Sequence, residues 1–271
     1  MRYHPAIIAQ SAATISILSN DRFVLGIGSE ERLNEHVIGR SWPSVTIRHE
    51  MLEEAIDIIR LLWQGGYQSY DGTYFQLDDA RIFDLPQKPI PFFIAAGGEY
   101  AAHIAADSGG GICVTEPETG IIHAFIGEGG AVEDTWGQAV LSWDSSTKKA
   151  LRTAHNQFRF VAGGWKVQSE LPNPINFDNA TRYVRPEDLA EMISCGPSAD
   201  EHMKLIQTYL DSGVHSLAVV YPGTNHEGFM DFWQNQLHPQ LVAPKNTDPQ
   251  EVLRGQKKKV IEPKERIIPE D

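Results

Sequence analysis

Basic residues are scarce in this chain. Lys and Arg total 23 against 36 Asp and Glu, a formal net charge of −13 at pH 7. Nucleic-acid backbones and anionic membranes select basic surfaces, so neither is expected as a partner. Cysteine is scarcer still. Cys113 and Cys195 are the only two, and no CxxC pair occurs. That excludes a disulfide framework and a thiolate metal centre, and both thiols read as small buried apolar groups. The ten histidines are scattered without HExxH or a related spacing, so no metal site is expected. No apolar run approaches the roughly 20 residues that cross a bilayer. Met1-Arg2-Tyr3-His4-Pro5 lacks the layout of a signal peptide, and the expected location is the cytoplasm. No repeat of fixed period is visible.

What is present suits one sizeable core. The chain has 271 residues, 41% of them hydrophobic, a length usual for a single barrel-like domain. Helix-like and strand-like segments alternate. Ala6 to Leu18 reads as a helix, and Arg22 to Gly28 as a buried parallel strand. Ile47, Met51, Ala55, Ile58, Ile59 and Leu62 recur at helical steps until Gly65-Gly66. A two-stranded excursion follows, turning at Tyr70 to Tyr74. Further strands are expected at Pro91–Ala96, Gly111–Val114, Gln138–Trp143 and Ser216–Tyr221. Helices are expected from Gly97-Gly98 to Asp107, and over Ile121–Ile126, Lys148–Phe158, Pro186–Ile193, Ala199–Asp211 and Gly228–Leu237. After Leu241 the chain is polar, with Lys257-Lys258-Lys259 reading as part of a solvated tail. Strands separated by helices imply βα units and a parallel sheet, so the class is α/β. About five core strands cannot close an eight-stranded barrel. Periodicity alone leaves an open doubly wound sheet equally admissible.

Two places invite chemistry. The first strand runs into Gly28-Ser29-Glu30-Glu31-Arg32-Leu33-Asn34-Glu35. Polar groups crowded at the C-terminal end of a parallel strand lie on the functional face of an α/β protein. The same cluster also reads as the capped start of a helix. The second place is Ile94-Ala95-Ala96-Gly97-Gly98 before a helix. Free backbone N–H groups there suit a phosphate, and an ordinary βα turn explains the glycines as well.

The order of these segments carries a resemblance. Tyr3 to Gln10, Leu25 to Ser29 with Arg32 to Glu35, Leu61-Leu62-Trp63-Gln64-Gly65, Ala95 to Gly98 and Cys195-Gly196-Pro197 stand in one sequence. Together they resemble the F420-dependent glucose-6-phosphate dehydrogenase-like branch of the luciferase-like superfamily. The resemblance implies a (β/α)8 TIM barrel with coenzyme F420 as hydride carrier; FMN and monooxygenase chemistry is the alternative, and a homodimer is implied for the full-length form. It assigns Ser29, Glu30 and Asn34 to the deazaflavin end. Gly97, Gly98, Tyr100 and Ala101 are assigned to the phosphodiester tail. Glu31 matches the family's catalytic acid, placed to deliver a proton to the ring as hydride arrives.

Two departures from the family pattern set further expectations. Family members begin with about three more βα units, which carry an Asp-His pair and a non-proline cis peptide. The chain therefore reads as N-terminally truncated, with strands from about the fourth onward. Residues 1–242 are then a partial barrel domain and 243–271 a polar tail. The first and last strands are expected to flank a gap, with Val24 and Val219 facing inward. A barrel fragment surviving only as a binding module is a third reading. His4 matches a common non-catalytic residue. The second departure concerns the sugar phosphate. The matching lysine positions hold Glu118 and Gln168, and the matching arginine position holds Met192; Thr115 keeps a polar contact. Glucose 6-phosphate is therefore not the expected substrate.

Overall fold

The computed structural model describes residues 2–29 and 31–241. Glu30 and the expected tail, with its lysine run, lie outside the described residues. Pro5 opens helix α1 (Pro5–Leu18), where a missing N–H costs the helix nothing. His4 caps it, its Nδ1 accepting the Ala6 N–H at 3.2 Å while Nε2 donates to the Gln76 carbonyl at 3.0 Å. Both ring nitrogens are thus used in structure. Strand β1 (Leu25–Ile27) follows, then the single turn α2 (Arg32–Glu35) and the long helix α3 (Val45–Trp63). Ser44 caps α3, and Gly65 and Gly66 end it at φ 78° and 73°. Buried Ala9, Ala12 and Ala13 let α1 lie close against α3, where the Trp63 indole donates to the Ala9 carbonyl at 3.0 Å. The hairpin of β2 (Gln68–Asp71) and β3 (Gln76–Ala80) packs on the same cluster. Glu54 of α3 holds its turn by accepting the backbone N–H groups of Thr73, Tyr74 and Phe75.

The main sheet is parallel. β1 pairs with β4 (Phe92–Ala95), β4 with β5 (Gly111–Val114), and β5 with β6 (Thr135–Ser142). β6 then pairs with the short β7 (Ser194–Cys195) and with β8 (Ser216–Val220). Helices α3, α4 (Glu99–Asp107), α5 (Thr119–Gly127) and α9 (Ala199–Asp211) cover one face. Ile94, Ile112, Val114 and Ala139 on that face are buried against Leu52, Ala102, Ile122, Phe125 and Tyr209. The other face is open: Val24 is 44% and Trp136 41% exposed. Among the described residues β1 and β8 do not pair, so the sheet is an arc with two edges rather than a closed barrel. No helix among the described residues is long and apolar enough to cross a membrane.

Several expectations need correction. β1 spans three residues rather than seven, because its partner strand starts after Pro91, which has no N–H to extend the ladder. β6 begins at Thr135, before Gln138. Pro186–Ile193 is not a helix: a 3-10 turn over Pro186–Leu189 gives way to β7, whose pairing with Leu141 and Ser142 takes the backbone. Val219 registers with buried Ala139 and packs beside Phe229 and Phe232, so it faces the helices rather than the interior. Helix α6 (Thr147–Phe158) forms as expected. The short helices α7 (Trp165–Gln168) and α8 (Pro174–Ala180) have no counterpart in the periodicity. The closing helix α10 (His226–Phe232) starts earlier than expected and continues as a wider π turn to Leu237.

His202 on α9 is fully buried. Its Nε2 donates to the Gly196 carbonyl at 3.0 Å, and Nδ1 has no partner. Burial pushes its pKa below 6.5, outweighing the Gly196 carbonyl and the Glu201 charge. The folded state therefore keeps the ring neutral, while the unfolded chain takes up a proton below about pH 6.5. Stability from this group is complete above that pH and is lost as pH falls through the depressed folded value. Urea unfolding at a series of pH values should show the wild type losing stability faster than His202→Asn between about pH 7 and 5. Parallel curves for the two proteins would show that His202 does not contribute.

Candidate active site

Because the sheet is parallel, the C-terminal ends of β1, β4 and β5 share one edge. The loops leaving β1 and β4 border a cavity of about 710 Å³ together with α3 and α7. Ser29, Glu31 and Asn34 border it from the β1–α2 side, and Gly97, Gly98, Tyr100 and Ala101 from the β4–α4 side. Seven of the eight residues assigned to acid and cofactor roles thus meet in one place; Glu30 lies outside the described residues.

The local geometry bears on the readings left open by the sequence. Glu31, not Ser29, occupies the N-cap position of α2, with extended backbone and no capping hydrogen bond. Its carboxylate is instead turned to Asn34, whose Nδ2 donates to Oε2 at 3.1 Å. A cap residue that leaves the helix N–H groups alone has its carboxylate available at the cavity wall. Gly98 is the N-cap of α4, and a Cβ built on it meets nothing within 4 Å. Packing does not demand this glycine; the Ala101 N–H already donates to the Gly98 carbonyl at 3.2 Å, and the Glu99 and Tyr100 N–H groups at the start of α4 are left without an acceptor among the described residues. Gly97 differs: a Cβ there would sit 2.6 Å from the Trp165 Nε1.

Trp165 belongs to a strap over the edge. The Arg32 N–H donates to the Ser169 carbonyl at 3.0 Å, and both terminal nitrogens of Arg48 donate to one Glu170 oxygen at 3.2 Å. Arg48 is only 6% exposed and also donates to the Pro43 carbonyl at 2.8 Å. His49 stacks on Tyr100 with ring centroids 4.9 Å apart. Burial, then the Arg48 charge, lowers its pKa, so it is neutral at pH 7. The Tyr100 hydroxyl donates to Glu53, whose charge chiefly raises its pKa and keeps the phenol protonated.

Across Trp165 lies another cavity of about 370 Å³ over the end of β5. Thr115 and Glu118 border it with Glu99, Glu116, Cys113 and Lys166. Gln168 and Met192 border neither cavity; Met192 is 43% exposed on the turn before β7. The Tyr209 hydroxyl, 2.8 Å from the Thr115 carbonyl and 3.0 Å from that of Gln138, ties the strand ends together. Burial, with a smaller part from Glu116, pushes its pKa up to about 12. Burial also raises Cys113, which is a thiol rather than a thiolate at neutral pH.

The luciferase-like monooxygenase family profile matches residues 1–216. This chain belongs to that family. It is 34% identical over 259 residues to a protein from Amycolatopsis mediterranei (strain U-32) described as F420-dependent glucose-6-phosphate dehydrogenase, covering 89% of this chain and 76% of that one. A protein of the same description from Mycobacterium tuberculosis (strain CDC 1551 / Oshkosh) is 31% identical over 257 residues, covering 89% and 75%. Among solved structures, an F420-dependent secondary alcohol dehydrogenase in complex with an F420-acetone adduct superposes with a TM-score of 0.77 at 22% identity, covering 86% and 74%. The coenzyme F420-dependent tetrahydromethanopterin reductase of Methanopyrus kandleri gives 0.70 at 18%, covering 89% and 80%. At those identities the structures speak for the fold alone. The candidate site is also lined by residues that the sequence reading did not single out: Arg48, His49, Trp165, Lys166, Ser169 and Glu170.

Proposed function

We propose that this luciferase-like protein is an F420-dependent oxidoreductase acting on a non-phosphorylated alcohol, carbonyl or enone. The observation that carries the reading is the meeting of Glu31 and Gly97-Gly98 on one cavity, in a chain whose curated relatives are named for F420. The open arc then corresponds to about strands four to eight of a (β/α)8 barrel. The cavity fits the cofactor in two respects. Its volume of about 710 Å³ lies within the range of cofactor clefts. The bare backbone at Gly98 opens the start of α4 to a phosphodiester.

Bound F420 supplies the ring carbon that exchanges hydride with substrate. The chain's own groups then have these roles. Ser29, Glu30 and Asn34 orient the ring. Gly97, Gly98, Tyr100 and Ala101 hold the tail. Glu31 holds the proton that accompanies hydride, and Asn34 fixes the carboxyl through its 3.1 Å contact. Trp165 and the strap exclude water from the edge of the sheet.

Substrate charge follows from the cavity beside Trp165. Three carboxylates, Glu99, Glu116 and Glu118, border it against one cation, Lys166. A phosphate dianion there meets like charge at a cost of about 2–5 kcal/mol. Glucose 6-phosphate, the substrate named for the relatives, is therefore disfavoured. Following F420 absorbance with a panel of secondary alcohols and glucose 6-phosphate tests this. A neutral alcohol should exceed glucose 6-phosphate in kcat/KM by about tenfold or more. Glucose 6-phosphate as the best substrate would overturn the assignment.

A further inference from the structure

A separate cavity of about 480 Å³ lies between α2, the 39–43 loop and the start of α3, with Arg48 and Glu35 shared between its lining and that of the cofactor cavity. Three arginines, Arg32, Arg40 and Arg48, line it, and Glu35 is the one acidic residue on its lining. In a chain of net charge −13 such a local excess of cations is unusual. Among the described residues, neither the Arg32 nor the Arg40 guanidinium has a hydrogen-bond or ion-pair partner.

Two buried donors sharpen the point. Arg48 is more than nine-tenths buried, and while its terminal nitrogens are spent on Glu170 and Pro43, its Nε–H has no acceptor. The Trp42 ring lies 4.3 Å from the same guanidinium carbon, and its Nε1–H is also buried without an acceptor. Buried N–H groups left unpaired are costly and uncommon in folded proteins. Both belong to residues that line this cavity, and with the unpaired guanidinium groups of Arg32 and Arg40 on the same lining they call for an acceptor that carries negative charge.

We propose that this cavity is an oxyanion site for a phosphate or carboxylate group. The Trp42 and Arg48 N–H groups receive the anion at the base, and Arg32 and Arg40 neutralise it at the rim. Such an anion has two possible sources: a free small molecule, or an acidic group on the far end of the cofactor in the neighbouring cavity. The site itself does not rest on the cofactor assignment, because its residues and its first test involve no cofactor.

The experiment is isothermal titration of the whole chain, without cofactor, with inorganic phosphate and with glutarate. Saturable binding of at least one is expected. Trp42→Phe keeps a ring on Arg48 but deletes one donor, and should weaken binding about tenfold or more. Arg40→Gln, at an exposed position with no hydrogen-bond or ion-pair partner among the described residues, should weaken it severalfold. Absence of saturable binding, or unchanged affinity in both variants, overturns the proposal. Repeating the titration with saturating F420, and with the deazaflavin riboside that lacks the phosphate and its acidic tail, separates the sources. Displacement by F420 alone assigns the site to the cofactor's tail, and displacement by neither assigns it to a free anion. Displacement by both places the anion in the cofactor cavity and removes the separate site. Failure of F420 to bind at all leaves the first titration standing and counts only against the cofactor assignment.

Discussion

Glu31→Gln is expected to lower turnover by about 10²–10⁴-fold in the F420-loaded protein, with cofactor affinity nearly unchanged. The amide matches the carboxylate in size, and its oxygen can still accept the Asn34 Nδ2–H now received at 3.1 Å. The loop after β1 therefore keeps its shape, as does the Arg32 N–H contact to the Ser169 carbonyl. What the amide loses is the capacity to give up a proton as hydride moves. An interaction used only in the transition state lowers kcat and kcat/KM together, so the split between kcat and KM is informative. Steady-state kinetics with a parallel cofactor titration measure it. Near wild-type turnover would remove Glu31 from the mechanism, and lost cofactor affinity would make it a binding residue.

Gly97→Ala should weaken cofactor binding by about 5- to 150-fold, the equivalent of 1–3 kcal/mol for overpacking. The added methyl has no room, since it would lie 2.6 Å from the Trp165 Nε1. The backbone at Gly97 lies between Ala96, whose N–H donates to the Cys113 carbonyl at 2.9 Å, and the N-cap of α4, so the indole has to move, and the strap moves with it. That motion strains the Arg48–Glu170 and Arg32–Ser169 contacts and opens the roof over α4's first turn. Trp165→Ala in the same chain should restore part of the lost affinity, because the two changes share one contact and are not additive. Gly98→Ala is the control: a Cβ there meets nothing within 4 Å, so the loss should be smaller. Equal effects at Gly97 and Gly98 would contradict the strap's role.

These two variants also show how far the sequence could be read. The amphipathic steps of α3 and the Gly65-Gly66 stop are local signals, and both appear in the fold. Strand β4, the Gly-Gly pair and α4 were legible for the same reason. Which glycine was steric was not legible, because Trp165 comes from a distant segment that folds back over the sheet edge. The strap has little periodicity, and its anchors join α7 to residues near α2 and α3. Nothing in the helical steps of α3 singles out Arg48, which packs against Trp42 and Glu170 and is buried. Pro186–Ile193 misled in the opposite way: proline and acidic residues opened a helix-like turn, and pairing with β6 ended it early. Glu31 and Asn34 could be assigned through the resemblance, but their mutual contact emerged only from the three-dimensional arrangement.

The most direct test of the central claim is a fluorescence titration of the chain with F420 and, separately, with FMN. The cavity that joins Glu31 to the bare start of α4 should bind F420 saturably and more tightly than FMN, and Gly97→Ala should weaken that binding. Tighter binding of FMN, or F420 binding indifferent to Gly97→Ala, would contradict the account.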